Sequence, residues 1–246
     1  IQVELVKMLV SSNPGMIRTA YELGITQVIL PEFDRMMETE QETPHHIYNV
    51  GEHTVRSMEH VRADKVLRLT MLLHDVAKPL MKTVDENGQA HFKMHEVEGE
   101  KMSKVILKRL KFDNDTLRKV AKLVYFHDYR MPAKMKNVRR AMCKMGEELF
   151  PLYLEVHLAD TLAQSDYKKE EKLQNIEEIR VCYEEILKQG QCVSLKTLAV
   201  TGSDLISWGM KPGKEIGETL NRLLNLVIEE PELNRKELLK EKVKIG

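Results

Sequence analysis

With 246 residues, 42% of them hydrophobic, the chain can bury one sizeable core or a core plus a smaller satellite, so folding requires neither disulfides nor oligomerisation. Cys143, Cys182 and Cys192 form no CxxC pair and leave an odd thiol, which excludes a secreted disulfide framework and fits a reducing, cytoplasmic setting, and no apolar run approaches the roughly 18 residues of a membrane span. The net charge of zero conceals an asymmetry: Lys101 to Lys144 carries 14 Lys/Arg against Asp113, Asp115 and Asp128, a net +11, and the acidic remainder excludes a protein that coats nucleic acid indiscriminately.

Ile1 to Val10 reads as an amphipathic helix already in progress, and with Ile rather than Met at its start the chain is expected to be a fragment. Val66 to Val76 is apolar almost all round, the pattern of a buried helix, and Pro79 is expected to end it. Asp85 to Gly88 then reads as a polar turn before the next helix. Met102, Val105, Ile106 and Leu110 form an apolar stripe opposite lysines, and Leu117, Val120, Ala121 and Val124 repeat it, so both segments are expected to be surface helices. Their lysines, with Lys134, Arg139 and Arg140 beyond them, are either a polyanion-facing surface or simply solvated helix faces. Asp113-Asn114-Asp115 reads as a turn and helix cap. Lys168 to Lys188 predicts a long charged helix ended by Gly190, and Val193 to Gly246 predicts two helices separated by the turn Trp208 to Gly213. No stretch alternates with period two for long enough to make a sheet, so the fold class is all-α.

The sharpest chemical signal is His74-Asp75 at the end of the apolar helix. A carboxylate at a helix C-terminus faces the negative end of the dipole and, in apolar surroundings, loses hydration; a cation should compensate it. One nitrogen and one hard oxygen ligand suit Mn, Fe, Ni, Zn or Mg. Lys78, a helical turn on, is a candidate for holding a phosphate oxygen. The pair alone is weak evidence and reads more readily as a buried structural histidine with its neighbour, but His53, His95, His127-Asp128 and Asp160 recur within or beside apolar helical segments.

The order His53, His74-Asp75, Asp160 resembles the signature of HD-type metal-dependent phosphohydrolases, and His95 and His127 match the extra histidines of members with a second metal. Asn13 to Phe33 and Val200 to Leu239 resemble the segments that precede and follow the HD domain in bacterial tRNA nucleotidyltransferases and poly(A) polymerase-like proteins. The resemblance implies an HD-type helical bundle with flanking N-terminal helices and a C-terminal helical tail: a neck-like segment at 1–40, a metal-binding domain at 41–167, and a connecting helix with tail at 168–246. It implies one or two divalent ions held by His53, His74, Asp75, His95, His127 and Asp160, with Asp75, Lys78, His95 and His127 acting on the phosphoryl group of a nucleotide or RNA end. The alternative it allows is a non-catalytic body that binds tRNA through Lys101 to Lys144 and the tail.

Nucleotidyl transfer in that family needs a Gly-Ser turn followed by a strand bearing two aspartates. Gly202-Ser203-Asp204 imitates the opening on a helical tail with no such strand behind it, so the transferase domain is expected to be absent. Ala77, where many HD proteins carry Gly, is a small-for-small change. His91 and His95 stand at zinc-ligand spacing without the glutamate of an HExxH motif, and only His95 is retained. His46, His53 and His60 are seven apart; His53 is preferred, and His46 and His60 are read as polar-face residues. Gly209 to Gly217 is read as helix punctuation rather than a phosphate loop.

Overall fold

Residues 1–243 are described by a computed structural model, and the fold is mostly helical. Four short helices open it, α1 (Gln2–Leu9), α2 (Ile17–Glu22), α3 (Ile25–Ile29) and α4 (Pro31–Met37). Helix α5 (Val50–Glu59) begins where the Asn49 side chain accepts a hydrogen bond from the Glu52 amide at 2.7 Å, satisfying one of the free amides of its first turn. Its inner face buries Val50, His53, Val55 and Met58. A Cβ at Gly51 would lie 2.8 Å from Met37 Cα, so the absence of a side chain there is what lets α4 and α5 approach.

Helix α6 (Lys65–Leu73) is capped by Asp64, which accepts from the Val66 and Leu67 amides, and is buried from Leu67 through Leu73. It ends at Leu73, not at Pro79. Pro79 instead sits in the first turn of α7 (Lys78–Met81), where its missing amide would have no intrahelical partner in any case. Asp85 to Gly88 does not lead directly into a helix. It turns an antiparallel hairpin, β1 (Thr83–Val84) against β2 (Ala90–His91), whose two-residue strands are too short to display alternation.

Helices α8 (His95–Arg109) and α9 (Asn114–Phe126) follow, α9 capped by Asp113 on the Thr116 amide. Then come α10 (Met135–Met145), α11 (Phe150–Leu162), α12 (Lys169–Lys188), α13 (Gly202–Ser207), α14 (Lys214–Glu229) and α15 (Lys236–Glu241). The last adds a third helix to a terminal block in which two were expected. The expected tail runs to residue 246, of which 244–246 lie outside the described residues.

The chain divides into two compact units. The first comprises Ile1–Arg130 and Pro151–Ile176, its core drawn from Leu9, Phe33, Leu69, Leu72, Val124 and Val156 among others. The second comprises Met131–Phe150 and the chain from Glu177 onward, with a core around Leu198, Leu205, Leu223, Val227 and Leu239. The basic stretch Lys101 to Lys144 is therefore shared between the units. Arg139 is not one of its surface charges: it is buried in the second unit and donates to the Ile228 carbonyl at 2.8 Å, the Gln191 side chain at 2.9 Å and the Glu229 carbonyl at 3.3 Å. Those carbonyls at the end of α14 have no intrahelical amide, and the guanidinium supplies the missing donors. Arg140 and Lys136 both pair with the Glu229 carboxylate.

Candidate metal centre

Every histidine of the expected ligand set is placed by a helix end or a helix face of the first unit. His53 projects from the buried face of α5; His74 and Asp75 follow the last turn of α6; His95 opens α8; His127 follows α9; Asp160 lies in α11. Their side chains converge. His53, His74 and Asp75 each offer a ligand atom within 4.8 Å of the others, and so do Asp75, His95 and His127, leaving Asp75 common to both triads. Asp75 Oδ2 lies 3.2 Å from His74 Nε2 and 3.7 Å from His53 Nε2, while Oδ1 lies 3.5 Å from His95 Nε2 and 3.6 Å from His127 Nε2. Asp160 Oδ1 adds to the first triad, 2.9 Å from His53 Nε2 and 3.7 Å from His74 Nε2.

The outward nitrogens decide the tautomers. His74, His95 and His127 each point Nδ1 at the backbone carbonyl three residues earlier, at 2.7, 2.8 and 2.6 Å, and His53 Nδ1 faces the Ala163 carbonyl at 3.4 Å. A carbonyl can only accept, so Nδ1 of His74, His95 and His127 carries the proton and each of these rings, when neutral, turns its Nε2 lone pair inward, while His53 Nε2 faces Asp160 Oδ1 at 2.9 Å. Three inward lone pairs around the Asp75 carboxylate leave acceptors facing acceptors. Both Asp75 oxygens are buried without a hydrogen bond of good geometry, although Lys78 Nζ lies 2.8 Å from Oδ2. Such a nest of lone pairs fits a divalent cation, and its mixed nitrogen and oxygen donors suit Mn, Fe, Ni or Zn better than Ca.

Without a cation, protons must do that work. Burial alone would raise the pKa of Asp75, but His74 and Lys78 outweigh it and hold the carboxyl well below its usual range. Burial is likewise outweighed at Asp160, where His53 holds the carboxylate down. Burial disfavours charge on His127, yet its contact with Asp75 lifts it to about 9. Burial and the neighbouring His127, 3.1 Å away, push His95 down to about 4.

Asp75, His95, His127 and Asp160 line a cleft of about 750 Å³ walled by α9's end, the β2–α8 turn and the segment before α5, whereas His53 and His74 are fully buried. Lys78 lines this cleft, with its ammonium bound to Asp75 and, at 2.8 Å, to Gln41 Oε1. His91 lies on β2, paired with Asp85 at 2.9 Å and outside both triads; the helix-face relation with His95 does not exist because α8 starts at His95. His60 is exposed at the end of α5, as a polar-face residue should be.

His46 is different. It precedes α5, packs its ring edge-on against His53 with centroids 4.7 Å apart, lines the cleft and leaves Nδ1 buried without a partner. Burial, with Lys78 nearby, pushes its pKa down to about 2. The stripe of seven-residue spacing misplaced it because the helix cannot extend back past its Asn49 cap; Pro44 and that cap were the available signals. Gln164 was also missed. It donates to Asp160 Oδ2 at 2.9 Å and accepts from Lys172 at 2.6 Å, holding the carboxylate from behind.

Residues 90–243 match the family model described as tRNA nucleotidyltransferase domain 2. The chain is 30% identical over 229 residues to the CC-adding tRNA nucleotidyltransferase of Thermus thermophilus, covering 90% of this chain and 50% of that protein. It is 30% identical over 219 residues to the A-adding tRNA nucleotidyltransferase of Deinococcus radiodurans, covering 84% of this chain and 49% of that one. It thus spans about half the length of the curated relatives it matches. The family match takes in His95, His127 and Asp160 and residues of both compact units, more than half of the sequence, and the chain belongs to the tRNA nucleotidyltransferase domain 2 family.

Proposed function

We propose that this chain carries an HD-type, metal-dependent phosphohydrolase site within the body-and-tail region of a tRNA nucleotidyltransferase-like protein. The observation that carries the reading is the sharing of Asp75 between two histidine triads, one of which lines an open cleft. His53, His74, Asp75 and Asp160 would hold one divalent ion; Asp75, His95 and His127 would hold a second. A pair of ions so placed supplies an ionised water at neutral pH and neutralises charge on phosphoryl oxygens. The backbone carbonyls behind the four imidazoles keep their Nε2 atoms aimed inward, and Gln164 fixes the Asp160 carboxylate. Lys78 contributes the positive charge at the wall of the cleft and is assigned to a phosphoryl oxygen. The favoured substrates are phosphodiesters such as 2′,3′-cyclic nucleotides or a damaged RNA end, with phosphomonoesters second. In this reading residues 1–40 act as a neck, 41–167 as the HD domain, and 168–246 as connecting helix and tail.

The test combines metal analysis of purified protein with a phosphodiesterase and phosphatase screen in Mn, Ni and Mg. Turnover is expected to disappear in His74→Ala and Asp75→Ala and to weaken in His95→Ala, with folding checked by circular dichroism. A second reading is favoured by the names of the relatives, which add nucleotides to tRNA: a non-catalytic tRNA-binding body whose metal site is structural. Metal-loaded protein inert on cyclic, linear and monoester phosphates, yet melting at lower temperature after chelation, would select that second reading.

A further inference from the structure

A second, smaller groove of about 390 Å³ lies along the first unit between α8 and α9. Its walls carry Lys104 from α8 and Arg118 and Lys122 from α9, against the single acid Glu100. Arg118, Lys122 and Tyr125 stand at i, i+4 and i+7, so they form one stripe along α9, spanning about 10 Å at 1.5 Å per residue. Tyr125 and Phe126 line this groove and also the cleft above the histidine cluster, which makes the two depressions neighbours across one pair of rings. Phe126 is nearly buried and stands edge-on to Tyr125, with centroids 4.9 Å apart, while Tyr125 is 38% exposed. One ring is therefore braced by the other and presents a face to solvent. Glu100 is occupied by Lys104 at 2.7 Å and Arg118 binds Asp115 at 2.8 Å, but Lys122 has no acidic partner among the described residues.

We infer that this groove is a subsite for single-stranded nucleic acid, with Tyr125 as a stacking platform and Lys122, Lys104 and Arg118 on the phosphate backbone, so that a strand lying in it delivers its end to the cleft. The inference rests on the reading of the cleft as a phosphoryl site. It makes the substrate a polynucleotide end rather than a free nucleotide. A braced, exposed aromatic on one helix stripe with Lys122, in a groove whose walls carry three cations and one acid, is what sequence-tolerant strand binding requires, since every base has a face to stack and every linkage a charge to neutralise. An acidic peptide would find the cations but has no use for the ring.

The experiment is fluorescence anisotropy of a labelled oligoadenylate of about six nucleotides with the full chain in chelator, so binding is read without metal or turnover. Tyr125→Ala is expected to weaken binding about tenfold and Tyr125→Phe to retain it. Lys122→Glu should weaken it and reduce the slope of log K against log salt by about one or more, whereas Lys7→Glu on α1 should do neither. Oligonucleotide binding that is absent, or equal in all four variants, overturns the subsite. Polyglutamate bound with the same dependence on Tyr125 and Lys122 overturns it in favour of an acidic peptide. Because no step of the assay requires hydrolysis, an inert metal centre and an empty groove give different results.

Discussion

Asp75 is the residue on which the candidate centre depends. It is fully buried, ringed by four imidazoles and one ammonium, and its two oxygens face different triads. Removing it takes a ligand from both. A cation that binds only the folded state stabilises it by mass action, about 2.7 kcal/mol at a hundredfold excess over Kd. Metal-stripped protein titrated with Mn or Ni should therefore melt at rising temperature. Asp75→Ala should show no such rise, and His95→Ala a reduced one, measured by scanning fluorimetry. An unchanged metal-dependent shift in Asp75→Ala would place the cation elsewhere. The histidines around it show why position along the chain is a poor guide to role: His46 and His60 stand equally far from His53, yet one packs on it and the other meets solvent.

At the scale of elements, the candidate ligands are only as well placed as the helices that bear them. Helix α5 carries His53 and touches α4 through Gly51, where an added methyl would meet Met37 Sδ at 2.4 Å and Met37 Cα at 2.8 Å. Backbone cannot swing aside as a side chain can. Gly51→Ala is expected to cost about 1–3 kcal/mol in urea denaturation, despite alanine's better helix propensity. A second link joins the start of α4 to the end of α8: Arg109 donates to both oxygens of Glu32, at 2.8 and 2.7 Å. Burial would raise the pKa of Glu32, but the paired guanidinium overcomes it and holds the carboxyl below its ordinary value. A depressed folded-state pKa means the stabilisation is complete above the unfolded pKa of about 4.3 and is lost as pH falls through the lower folded value. Glu32→Gln should thus be less stable than the native chain at neutral pH, with the difference closing in acid. A gap that stayed constant from pH 7 to pH 3 would assign the loss to packing instead.

At the scale of the molecule, each of the two units has a core of its own, and the described strands amount to one two-stranded hairpin. That hairpin bears no aspartate pair. Gly202-Ser203-Asp204 lies in α13, where Thr201 and Asp204 form a capping box and Asp204 binds Lys236 at 2.5 Å, so its carboxylate is committed to a helix start. Purified chain is accordingly expected to incorporate neither CTP nor ATP onto a tRNA 3′ end, even in Mg and Mn. Labelled product in that assay would refute it. Among the described residues no helix is long and apolar enough to cross a membrane.

Much of this was legible in the residues. Helical class followed from apolar spacing, because burial of one face has a fixed period; the cap at Asp113 followed from a side chain that accepts hydrogen bonds from free amides. The chemical types at His53, His74, Asp75, His95, His127 and Asp160 singled themselves out as polar groups in apolar segments. The hairpin escaped because two residues per strand carry no period. Arg139 escaped because nothing local distinguishes a guanidinium in solvent from one that closes the end of a helix 89 residues later. His46, Gln41 and Gln164 likewise depend on which backbone lies beside them. Periodicity and capping are properties of neighbours in sequence, whereas the sharing of one carboxylate by two triads comes from bringing four helices to a common point, and only long-range packing does that.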